Sequence, residues 1–166
     1  LGAVLDRQGR YAEAQRHHRE ALAIAARLNA RHVQVEVAAN LSFSLAGVPA
    51  LDEAIAVARE ALALGDYAST HPLRANLGWC LMEAGQLDEA VKVYEALIAS
   101  GDLQTRCACW GKLVALRARL GPPEALARAV EGALQAARES RSPTGRATAL
   151  LHVMRHGREA DAAAAL

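Results

Sequence analysis

At 166 residues and 52% apolar content the chain can bury a substantial core, yet only 4% of it is aromatic. Its β-branched residues are too scattered to build a sheet, and Ala, Leu, Arg and Glu give it the composition of helices. Nineteen basic and 18 acidic residues leave a formal charge of +1 with no basic stripe for nucleic acid, no apolar run reaches a membrane span, and no stretch reads as a signal peptide.

In chain order, Leu1 to Gln8 reads as the tail of a first helix, turned at Gly9-Arg10-Tyr11. The next helix runs from Tyr11 to Asn29, with Tyr11, Ala14, His18, Ala21, Leu22, Ala25 and Leu28 on one face. Val33 to Leu45 and Leu51 to Leu64 form a second pair across Gly47-Val48-Pro49, where Pro49 bars a continuous helix. Thr70-His71-Pro72 restarts the chain, with Thr70 or His71 as cap. Leu77, Leu81 and Ala84 then make one apolar stripe and Ala90, Tyr94, Leu97 and Ile98 another, on either side of Gly85. Asp102 is the expected N-cap of a helix carrying Trp110, Leu113, Leu116 and Leu120. Gly121-Pro122-Pro123 opens the next, to about Glu139, and Ser142-Pro143 the one after. A last hairpin is expected to turn at His156-Gly157-Arg158.

The pairs are copies of one another. Ala54, Ala90, Leu126 and Ala162 stand 36 residues apart, and Ala14 lies 40 before Ala54. One such hairpin cannot bury both its faces, so it needs neighbours. The repeats fall at about 1–30, 31–66, 70–100, 102–139 and 143–166, within a single repeat domain over 1–166. The chain opens and closes inside helical patterns without an initiator Met, and so reads as a piece of a longer protein.

These units resemble the tetratricopeptide repeat (TPR). Repeat three supplies Leu77-Gly78, Gly85, Leu87, Ala90, Tyr94 and Leu97-Ile98; the first supplies Leu1-Gly2, Gly9, Tyr11, Ala14, His18 and Ala21-Leu22. Repeat two has Pro49 in place of the turn glycine, repeat four has Leu126 where a small residue is usual, and repeat five keeps only Gly157 and Ala162. The resemblance implies an all-α, right-handed superhelical solenoid of antiparallel helix pairs, about four to five repeats, with the first helices lining a concave face. It further implies a non-enzymatic scaffold that takes a protein or an extended peptide in that groove. The Arg/Ala-rich repeats and the near-40-residue opening period look like the C-terminal regions of bacterial multidomain transcriptional regulators. The alternative is a stand-alone adaptor or assembly factor, self-associating through its end faces.

Carried over position by position, the ligand-facing residues are Asn40 and Phe43, then Asn76, Trp79, Met82 and Glu83, then Arg119 and Arg155. Glu36, Lys112, Thr148, Leu151 and Met154 flank them, and Asp6 and Arg7 close the other end. Asn40 and Asn76 share one repeat position, and an amide both donates and accepts, so the pair could clamp a peptide backbone. Phe43 and Trp79 share another, with Met82 a turn beyond, as an adaptable apolar floor. The asparagines could equally bridge helices, and the more usual role of such aromatics is to fill space between repeats. The carboxylate clamp of chaperone-binding repeats is missing, since Ala39, Phe43, Ala75 and Trp79 stand where Lys and Arg would be needed.

His152 and His156 are four apart, but no third ligand lies near, and Cys107 and Cys109 diverge by about 200° on a helix, so no metal is expected. With Cys80 these make an odd set without framework spacing, which reads as reduced thiols in a cytoplasmic protein. No nucleophile elbow, phosphate loop or paired catalytic carboxylates are present, and no cofactor is implied.

Overall fold

The computed structural model describes residues 1–47 and 50–164, with backbone alone from 157 onward. Nine helices run through the described residues, with no strand among them: α1 (Gly2–Arg7), α2 (Tyr11–Arg27), α3 (Arg31–Ala46), α4 (Leu51–Leu62), α5 (Thr70–Glu83), α6 (Leu87–Ser100), α7 (Leu103–Leu120), α8 (Pro123–Glu139) and α9 (Pro143–Ala164). They form two compact units, Leu1–Gln86 and Leu87–Leu166.

Local chemistry sets the helix ends. Gly9 and Gly85 take φ of +73° and +76°, the left-handed conformation that reverses the chain at little cost only for glycine. Asn29 adopts φ of 50° for the same purpose, a substitution asparagine tolerates better than most residues. The Asp102 carboxylate accepts from Thr105 N at 2.7 Å and Ser142 Oγ from Gly145 N at 3.2 Å, so both are N-caps as their sequence contexts predict. Pro123 occupies the first turn of α8. Thr70 acts differently from expectation: it lies inside α5, and its hydroxyl accepts from Tyr67 N at 2.8 Å, tying down the preceding turn. The break at Val48-Pro49 lies outside the described residues.

In the first unit each helix packs on the next, and α3 also lies along α5 and touches α1. Ala14 and Ala54 are fully buried where helices approach, with Leu41, Leu45, Leu73 and Leu81 filling the spaces beside them. The second unit follows the same plan, with α9 lying against both α7 and α8. Ala90 is fully buried there, and Cys107, Ala136, Ala137 and Ala149 form a small-residue core against which Leu103 and Trp110 pack.

The expected hairpin at His156-Gly157-Arg158 does not form: α9 runs through it unbroken. A glycine inside a helix costs only about 1 kcal/mol relative to alanine. Here an alanine-rich segment follows, and no proline or asparagine helps the glycine to turn the chain. Repeat five is therefore represented by one long helix.

Candidate functional site

The candidate positions Asn40, Phe43, Asn76, Trp79, Met82 and Glu83 all belong to the first unit, on α3 and α5, which pack against each other. The two asparagines share a repeat position but not a role. Asn76 Nδ2 donates to the Ala39 carbonyl at 2.8 Å and to Ser42 Oγ at 3.4 Å, so its amide ties α5 to α3. The half-buried Asn40 side chain makes no hydrogen bond within the described residues; only its backbone carbonyl is engaged, by Ser44 Oγ at 3.0 Å.

Phe43, the single phenylalanine of the chain, is 44% exposed. Its ring meets Tyr11 edge to face, with centroids 6.4 Å apart and planes at 71°. Tyr11 is held from behind, since a Cβ on Gly47 would fall 2.9 Å from its ring. Phe43 thus stands on a fixed support with nearly half its surface uncovered. Trp79 and Met82 are half-buried on α5 and Glu83 is exposed beside them.

Asp6 is no part of an exposed surface, contrary to expectation. It is 8% exposed, and its carboxylate gathers three helices. His18 Nε2 on α2 donates to Oδ2 at 2.9 Å, and the Ser44 hydroxyl on α3 donates to Oδ1 at 2.5 Å. Gln15 Nε2 completes the network by donating to the Ser44 carbonyl at 3.1 Å. Gly2 lets the His18 ring in, because a Cβ there would lie 2.5 Å from it. The carboxylate stands between Ser44 and His18, so the histidine cannot take the serine proton and the set is no nucleophilic triad. Sequence reasoning placed His18 correctly on a packing face but missed this network. The signal was available, for Gly2 and Asp6 lie four apart on one helical face with apolar Leu5.

In the second unit, Arg119 on α7 and Arg155 on α9 are exposed, as are Leu151 and Met154, while Lys112 is half-buried. Thr148 Oγ1 donates to the Thr144 carbonyl at 3.0 Å and serves its own helix. His152 packs on the α7 backbone, where a Cβ on Gly111 would come within 2.6 Å of the ring, and its buried Nδ1 has no hydrogen-bond partner among the described residues. Burial holds its pKa below the ordinary value, and Lys112, His156 and Arg155 push the same way. Between the ordinary histidine pKa of about 6.5 and that lowered value, only the unfolded chain gains the proton. Stability contributed here is therefore intact above about pH 6.5 and lost as pH falls below it. We expect the melting temperature to drop less between about pH 7 and about pH 5 in His152→Leu than in wild type. Equal drops would mean that His152 takes up its proton as freely folded as unfolded.

The cysteines are unsuited to attack. Burial pushes the thiols of Cys80 and Cys109 up to about 11, with Glu83 adding to the effect at Cys80, so both stay neutral. Cys107 Sγ donates to the Ala136 carbonyl at 3.3 Å. Among the described residues, no three His, Cys, Asp or Glu side chains gather as metal ligands, and no helix is long and apolar enough to cross a membrane.

Successive helices joined by short turns, small residues at the points of closest approach and exposed apolar groups on the first helices define a scaffold of repeated helix pairs. Two tetratricopeptide repeat models match the sequence, at residues 1–32 and 73–120. Among solved structures the chain is similar to a candidate kinesin light chain from Podosopora anserina with nearly identical TPR-like repeats. The likeness has a TM-score of 0.72 at 18% identity, covering 97% of this chain and 87% of that one. A point variant of the same protein gives a TM-score of 0.73 with the same identity and coverage. No curated protein matches the chain. At this identity the likeness is one of fold, which is all-α and tetratricopeptide-like.

Proposed function

We propose that the chain is a non-enzymatic scaffold that binds a protein or an extended peptide, and that α3 and α5 of the first unit contribute a binding face. The observation that carries this reading is Phe43, an aromatic 44% exposed on a fixed support, one helical turn from the Asn40 amide, which makes no hydrogen bond among the described residues. A large exposed apolar side chain beside free hydrogen-bonding groups is the make-up of an interface anchor. Asn76 supports the face from within, its amide nitrogen being directed to α3. Arg119 and Arg155 belong to the same proposal as exposed contacts of the second unit, and so does the action of residues 1–166 as one repeat domain.

The resemblance of the Arg/Ala-rich repeats and their opening period to those of bacterial multidomain transcriptional regulators supports reading the chain as the interaction region of such a regulator, in which the scaffold senses a partner for domains elsewhere. Three buried free thiols favour the cytoplasm. A self-associating adaptor is the second reading, supported by Leu150, Leu151 and Met154 on α9, which are 41%, 58% and 72% exposed.

The test compares wild type with the Asn40→Ala, Phe43→Ala double variant in affinity capture from a bacterial lysate, with light scattering for self-association. Partners held by wild type and lost by the variant, at nearly unchanged melting temperature, are the expected result. Asn76→Ala should instead cost about 0.5–1.5 kcal/mol by removing the amide that ties α5 to α3. Identical capture by wild type and the double variant would remove α3 from the binding surface.

A further inference from the structure

We propose that a recess between α6, α7 and α8 docks an acidic segment of a partner protein, with one bulky apolar side chain as its anchor. The site lies wholly in the second unit and does not depend on the reading of α3 and α5.

The recess encloses about 270 Å³ and is open to solvent. Small-molecule sites usually offer about 300–1,000 Å³, so this one suits a single side chain better than a whole small ligand. Its walls are apolar, with Ile98 from α6 and Trp110 from α7, and Ala125 from α8 is too small to fill the space between them. Trp110 is a rigid wall. Its ring lies so close to the α8 backbone that a Cβ on Gly132 would meet it at 2.5 Å. A preformed apolar wall loses little freedom when a side chain enters, as anchor pockets require.

The rim decides the charge of the partner. Arg117 Nη2 donates to Glu95 Oε1 at 2.8 Å, so the one carboxylate at the rim is already matched. Arg128 on α8 also lines the recess, is exposed, and has no ion-pair or hydrogen-bond partner among the described residues. One unmatched guanidinium beside an apolar pocket complements a carboxylate adjoining an apolar side chain, and it repels a basic segment.

Fluorescein-labelled pentapeptides test this against the whole chain by fluorescence anisotropy. The probes carry a central Leu, Phe or Trp flanked by glutamates, with matched peptides that have lysine flanks or a central Ala. We expect at least one acidic, apolar-centred peptide to bind, and the lysine-flanked and Ala-centred versions to bind at least about tenfold more weakly. Arg128→Glu, a surface change that leaves the packing alone, should weaken binding by about tenfold or more. Ala125→Leu should do the same by filling the recess. Failure of every acidic peptide to bind, indifference to the central residue, or full binding by Arg128→Glu would each overturn the proposal.

Discussion

Asp6→Ala is expected to cost the first unit about 3–5 kcal/mol, the largest effect of any single substitution considered for this protein. The change deletes one carboxylate but disrupts three helices. His18 loses its acceptor while only 6% exposed and cannot turn to water without opening the packing, and Ser44 Oγ is left with the Asn40 carbonyl alone. Buried donors left unmatched carry their whole desolvation cost, which exceeds what the bonds themselves contributed. Asp6→Asn keeps the shape and one acceptor oxygen, so it should fall between wild type and the alanine variant. Urea denaturation followed by circular dichroism measures all three. A loss below about 1 kcal/mol for Asp6→Ala would mean that water reaches the site and replaces the carboxylate.

Leu126→Ala should also be strongly destabilising, by about 2–5 kcal/mol, although it restores the residue that the repeat pattern prefers. Ala14, Ala54 and Ala90 occupy that position in the other repeats with no exposed surface, and adding bulk there, as in Ala90→Leu, should cost about 1–3 kcal/mol by overpacking. Leu126 is 5% exposed at the same position of α8. Its side chain is part of the core, so truncation leaves a cavity. Neither residue fits the other's place, because each helix interface is packed to its own shape. Thermal melts of the two variants would decide the matter. A stabilised Leu126→Ala would show that leucine is a poor fit tolerated for another purpose.

The helices were largely legible because their ends are written in side chains with local effects. Gly9 and Gly85 reverse the chain, Asp102 and Ser142 cap, and Pro123 starts a helix whose first N–H needs no partner. These signals act within four residues and need no tertiary knowledge. Gly157 misled because a glycine marks a turn only when its flanks do not favour helix.

The candidate site was legible only as a set of positions. Periodicity put Asn40 and Asn76 in one register and could go no further, since the register says nothing about what each amide meets. Asn76 meets the Ala39 carbonyl of a neighbouring helix, whereas the Asn40 amide makes no hydrogen bond among the described residues. The buried Asp6 network and the recess beside Trp110 depend on side chains up to 38 residues apart in sequence. Repeat position alone does not encode such meetings.

The three thiols give the molecule a built-in clock for its own opening. Each is buried, and two are too weakly acidic to react while the fold is closed. A thiol reagent therefore marks only chains that have opened locally or globally. Cys80 lies in the first unit, Cys107 and Cys109 in the second. Peptide mapping after a brief exposure would thus record each unit's opening separately, within one chain and without an engineered label. The order in which the marks accumulate would tell whether the two halves come apart as one cooperative body or independently.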